Sequence, residues 1–165
     1  MLLGSIAQKL QKLGVQTMGV VATDPQRTRL YFRFRPPRMR MGADPDLVTH
    51  QAYGLPNFAL TPEAHEVARA AAARELRRLN QDVPADPFAA LTRLDDYEAT
   101  EADGADFQRH QAQLTGQFLI DRDGIVRYAY VECARDGLAG FGDMPSEEEI
   151  LAGARAVVDV GRGLS

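Results

Sequence analysis

The stretch "LTGQFLIDRDGIVRYAYVEC", Leu114 to Cys133, decides the fold class. Two apolar runs rich in β-branched and aromatic residues flank the polar centre "DRDG", Asp121 to Gly124. Asp123-Gly124 supplies the positive φ that a tight β-turn needs. The stretch therefore predicts a β-hairpin that ends on Cys133, the single cysteine in the chain. One cysteine excludes an internal disulfide and excludes a CxxC pair for redox or metal chemistry within the chain.

On the C-terminal side, "ARDGLAGFGDM", Ala134 to Met144, reads as a glycine-rich loop. "PSEEEILAGARAVVDV", Pro145 to Val160, predicts a closing helix. Ser146 and Glu149 have capping-box spacing. Ile150, Leu151, Ala154, Val157 and Val158 form an apolar stripe at helical period.

On the N-terminal side, Leu2, Leu3, Ile6, Leu10 and Leu13 predict a helix that Gly14 stops. "VQTMGVVA", Val15 to Ala22, is short, apolar and β-branched, the pattern of a buried parallel strand. Asp24 is placed to cap a second helix, with Pro25 at its first position, where the missing N–H costs nothing. That helix is expected to run to about Arg35 and end at Pro36-Pro37. "MRMGADPDLVTHQAYGL", Met39 to Leu55, predicts a short extended piece, a turn at Asp44-Pro45 and a short helix ending near Gly54.

Residues 57–112 break this rhythm and read as a helical insertion. "LTPEAHEVARAAAARELRRLN", Leu60 to Asn80, is an alanine-rich helix with Thr61 as cap and Pro62 at the first position. "DPFAALTRLDDYEA", Asp86 to Ala99, starts another on Asp-Pro, and the acidic "TEADGAD", Thr100 to Asp106, is expected to be a solvated loop.

At 165 residues, 45% apolar and 25% charged, the chain suits one domain with a substantial core. Its net charge of −4 gives no bulk attraction to nucleic acid or to an anionic membrane. No apolar run approaches the ~18 residues needed to span a bilayer. The opening "MLLGSIAQKLQKLG" lacks the charge order and apolar length of a signal peptide. These absences lead to the expectation of a cytoplasmic protein with no membrane, nucleic-acid, metal or cofactor partner.

Several of these segments together carry a resemblance. "GQFLIDRDGIVRYAYVE" followed by the capped "PSEEEILAGARAV" resembles the hairpin and last helix of the alkyl hydroperoxide reductase / thiol-specific antioxidant superfamily, the peroxiredoxin-like redoxins. "LGVQTMGVVATDPQRTRLYFRF" resembles the strand and helix that follow the family's active-site helix, and "MGADPDLVTHQAYGL" resembles a further family segment. The resemblance covers about residues 2–56 and 114–160. It implies an α/β, thioredoxin-like fold: a central sheet with a C-terminal β-hairpin and flanking helices, plus the helical insertion at about 57–112. It also implies a thiol-dependent oxidoreductase or peroxiredoxin-like antioxidant, acting on a peroxide or on thiol/disulfide substrates.

The family's reactive cysteine sits at the start of its first helix, after a central strand, and this sequence contains neither. The resemblance thus implies a truncated or degenerate redoxin. Alternatively, the chain is a non-catalytic thioredoxin-fold module, a homodimer or one completed by a partner that fills the missing strand.

Two residues are the catalytic candidates. Cys133 reads as a redox thiol whose pKa Arg127 and Arg135 could lower, or as a small buried apolar residue. Strand alternation would place Arg127, Ala129, Val131 and Cys133 on one face. Arg127 matches the arginine that lies near the reactive thiolate in peroxiredoxins; its other reading is a surface arginine at a strand start.

"RTRLYFRFRPPRMR" holds six arginines between Arg27 and Arg40, interleaved with Tyr31, Phe32 and Phe34. It reads as a phosphate-binding patch or as an amphipathic helix with solvated arginines, and the acidic chain favours the second. "HEVAR", His65 to Arg69, begins like H-E-x-x-H but lacks the second histidine. "DRDG" lacks the later glutamate of a calcium loop. His50, His65 and His110 are too scattered to suggest a ligand set, and the three serines carry no nucleophile motif.

Overall fold

The computed structural model describes residues 2–34, 36–59, 61–94 and 100–162. Arg35, the expected end of the second helix, lies outside them, as do Met1, Leu60, residues 95–99 of the expected insertion and residues 163–165. The protein is mixed α/β. Its described residues form seven α-helices, one 3-10 turn and six short strands in three two-stranded sheets. They group into two compact units. The first comprises Met1–Tyr53, Thr115–Val131 and Met144–Ser165; the second comprises Gly54–Leu114 and Glu132–Asp143.

The first unit opens with α1, Leu2–Lys12. The chain leaves it by a turn in which the Val15 N–H returns to the Leu10 carbonyl at 3.0 Å, with Gly14 at φ +82. That wrap uses residues expected to be strand, so β1 is only Met18–Val21. Asp24 then caps α2, Pro25–Phe34: its Oδ1 accepts from the N–H groups of Gln26 and Arg27 at 2.7 and 2.9 Å. The extended piece becomes β2, Arg40–Ala43, parallel to β1 with Met18 opposite Arg40 and Val21 opposite Ala43. α3 follows at Val48–Ala52.

The hairpin forms as its sequence requires. β5, Gly116–Ile120, and β6, Val126–Val131, pair antiparallel, with Gly124 at φ +81 in the turn and a register shift at Leu119/Ile120. β6 ends at Val131, so Cys133 is not on the strand as expected. It has φ +62, a left-handed conformation in which strand alternation does not hold.

α7, Glu147–Arg162, closes the unit with the expected capping box: Ser146 N–H donates to Glu149 Oε2 at 2.9 Å, and Glu149 N–H donates to Ser146 Oγ at 3.2 Å. Lys9 pairs with Glu147. Leu119 packs with Ile6, Leu10, Ile150 and Ala154 as one buried cluster. Thus the apolar stripes of α1 and α7 meet the hairpin, and burial of those stripes, more than helix propensity, holds the helices.

The second unit is mainly helical. Its ends are tied by β3, Asn57–Phe58, and β4, Ala112–Gln113, an antiparallel pair absent from the sequence reading. The Leu114 N–H donates to the Pro56 carbonyl at 3.1 Å, so the segment leaves and returns at one place. α4, Pro62–Arg78, starts on the Thr61 cap and buries Ala64, Ala68, Ala72 and Leu76, one per turn. α5 is Pro87–Leu94, capped by Asp86.

The acidic stretch expected to be a loop is instead the start of α6, Glu101–His110. Thr100 and Asp103 form a capping box, and carboxylates in the first turn favour the positive end of the helix dipole. Composition alone concealed the capping pattern.

Candidate functional site

Cys133 lies in the turn after β6, within the second unit, and is half-buried. Its neighbour Glu132 is a buried carboxylate, 6% exposed, that accepts from the Gly142 N–H at 2.7 Å. Gly142 itself stands at φ +77, and a Cβ there would lie 2.9 Å from Ala71 Cβ on α4. The segment 132–143 is therefore held against α4 through backbone contacts that only glycine permits at that position.

Burial pushes the Cys133 thiol up, and the charges that act on it, Glu132 and Asp143, push it further in the same direction. This is opposite to the expectation that Arg127 and Arg135 would lower it. Arg135 is exposed. The thiolate is the reactive form, so the site disfavours attack on a peroxide at neutral pH. Alkylation of Cys133 by iodoacetamide is accordingly expected to be slower at pH 7 than that of free cysteine, with its pH midpoint above the free value of about 8.5. A midpoint below it would refute this electrostatic picture.

Arg127 belongs to the first unit, on β6, and its guanidinium is already engaged. Its Nε donates to Asp121 Oδ2 at 2.6 Å. Asp121 Oδ1 also accepts from the N–H groups of Asp123 and Ile125, both at 2.9 Å. The Ile125 N–H foremost, then Arg127, holds the Asp121 carboxyl below the usual range. In this unit Arg127 closes the hairpin turn.

A third constellation was missed from sequence. Asp44 and His50 are 6% and 8% exposed, and His50 Nδ1 lies 2.7 Å from Asp44 Oδ2. The same carboxylate accepts from the backbone N–H groups of Val48, Thr49 and His50 at 2.9, 2.8 and 3.0 Å. Burial pushes the Asp44 carboxyl up, but the His50 ring and the three N–H groups outweigh it and hold the carboxyl below its ordinary value. An ionised carboxylate can only accept, so His50 Nδ1 carries a proton and donates it to Asp44 Oδ2. In general such an Asp–His pair can orient a general base toward a nucleophile. Among the described residues no hydroxyl or thiol is hydrogen-bonded to His50, so the pair acts as an internal cap that fixes α3 to the end of β2.

The signal was present in Asp44-Pro45 followed by a short helix. The six-residue spacing from Asp44 to His50 is not a standard pairing distance, and Leu47, at φ +57, turns the chain between them.

In the second unit, a cavity of about 240 Å³ lies between α4 and α5, lined by His65, Arg69, Ala85, Asp86, Pro87 and Phe88. Arg69, which replaces the second histidine of the incomplete zinc motif, donates to the Ala85 carbonyl at 2.7 Å. His65 packs on Phe88 with ring centroids 5.9 Å apart. No group of three or more His, Cys, Asp or Glu among the described residues could hold a metal ion. No described helix is long and apolar enough to cross a membrane. Comparisons with protein-family models, curated proteins and solved structures find no match.

Proposed function

We propose that the chain is a thioredoxin-like scaffold of the redoxin type that works as a binding and dimerisation module, with no peroxidase turnover through its own thiol. The observation that carries this reading is the sheet architecture of the first unit. β1–β2 and β5–β6 are separate two-stranded sheets. Two-stranded sheets are marginal in water, and their unpaired edges are templates for another strand. Met18, at the start of β1, is 67% exposed. A second copy that adds its strand along the β1 edge would extend the sheet and make a homodimer. The raised Cys133 thiol supports the non-catalytic side of the reading.

A thiol-dependent oxidoreductase is the second reading, favoured by one observation: Cys133 is reachable and has a positive φ, the kind of backbone strain that clusters at functional sites. In that chemistry the thiolate attacks one peroxide oxygen, the O–O bond breaks, and water or an alcohol leaves. The sulfenic acid that remains is reduced by an external thiol.

Sedimentation velocity and dithiothreitol-driven hydroperoxide consumption separate the two. The binding reading expects a dimer, a shift to monomer in Met18→Lys, since charge blunts a strand edge, and no consumption above buffer. A monomer that consumes peroxide, with activity lost in Cys133→Ser, would overturn it.

A further inference from the structure

Between Pro25 and Ala43 the chain carries six arginines and no lysine, aspartate or glutamate. This stretch is +6 in a chain of net charge −4, which leaves −10 on the remainder. Four of the described arginines fall into two sorts. Arg27 lies 3.4 Å from Asp24, and Arg38 donates to the neutral Gln8 side chain at 2.8 Å. Arg29 and Arg33 on α2 are exposed, and among the described residues neither has a carboxylate partner. They stand one helical turn apart, so with Gln26 and Leu30 they share one helix face. Leu30 is 43% exposed between them. α2 packs on β2; on the helix Thr28 is buried, and Tyr31 and Phe32 pack edge-to-face at 5.1 Å.

We infer that this face of α2 docks a carboxylate-rich protein segment that carries an apolar residue among its acids. Guanidinium forks pair with carboxylates and with phosphates alike, so charge complementarity alone admits either. Two features favour the acidic peptide. Leu30 between the arginines offers an apolar contact that a phosphate backbone does not use. A long nucleic acid would also run over the rest of the chain, which repels it. A short acidic segment feels only the local field, because screening confines surface charges to about 8 Å at physiological salt. The face is a site distinct from the β1 edge, and its occupant is another protein.

The test is fluorescence anisotropy with a labelled glutamate-rich peptide containing one central leucine. A single-stranded oligothymidylate of the same length is the comparison, at about 50 mM salt. The expected result is saturable peptide binding that weakens about tenfold at high salt and is lost in Arg29→Glu/Arg33→Glu. Leu30→Ser is expected to weaken it several-fold while leaving the salt dependence intact. Circular dichroism checks that each variant is folded, and Arg29→Gln/Arg33→Gln, a gentler change, is expected to show a partial loss. Three results would each overturn the inference: unchanged peptide binding in the charge-reversed variant, tighter binding of the oligothymidylate, or no binding of the peptide. A salt-sensitive self-association abolished by the same charge reversal would replace the partner by a second copy. Strand-paired dimers depend little on salt, so that outcome is separable from the edge pairing proposed above.

Discussion

Asp44→Ala is expected to destabilise the first unit by about 3–5 kcal/mol, the usual cost of breaking a buried pair from one side. The substitution strands four donors at once: the N–H groups of Val48, Thr49 and His50 and the His50 ring. α3 is only five residues long, and a helix that short cannot persist without its cap. His50→Ala should cost less, about 1–2 kcal/mol, since the carboxylate keeps its three backbone donors. The pH dependence has a definite sign. The folded Asp44 carboxyl is held below the ordinary 3.8, so its contribution is present above about pH 4 and is lost as pH falls through the folded value. Urea unfolding of the parent, both variants and their double mutant, between neutral pH and about pH 3, measures these terms. A loss below about 1 kcal/mol for Asp44→Ala would mean that the pair is solvated and that α3 is held by packing alone.

Leu119→Ala is expected to cost about 2–5 kcal/mol, with the neighbouring Ile120→Ala near zero. The contrast is a test of how the hairpin joins the helices. Leu119 is 8% exposed and packs with Ile6, Leu10, Ile150 and Ala154, whereas Ile120 is 44% exposed on the opposite face. The approach is close: a Cβ on Gly153 of α7 would come within 3.0 Å of Leu119 Cδ1. A cavity left by Leu119 is therefore bordered by helix backbone that cannot easily collapse into it. Equal effects of the two substitutions in urea unfolding followed by circular dichroism would show that the hairpin does not dock on α1 and α7 through this side chain.

Much of the fold was legible because its signals are local. Asp24-Pro25, Thr61-Pro62 and the Ser146/Glu149 box mark helix starts through hydrogen bonds that span three residues. Asp123-Gly124 marks the hairpin through a backbone preference of one residue. Thr100 and Asp103 obey the same capping rule, but the acidic composition of the stretch masks it, so α6 is not legible from composition. The candidate site was less legible. The sequence predicts Cys133 at the end of a strand, whereas the structure places it in a turn at φ +62. Its thiol is pushed up first by burial and then by Glu132 and Asp143, the second of them ten residues away, rather than lowered by the arginines nearest in sequence pattern.

By itself, then, the sequence determined the hairpin and every described α-helix except α6, each encoded in caps, turns and apolar periods within one element. The tertiary structure alone decided which strands pair, that Asp44 reaches His50, and which way the Cys133 thiol shifts. Pairing, burial and electrostatics depend on distances between side chains, and those distances exist only once the elements have packed.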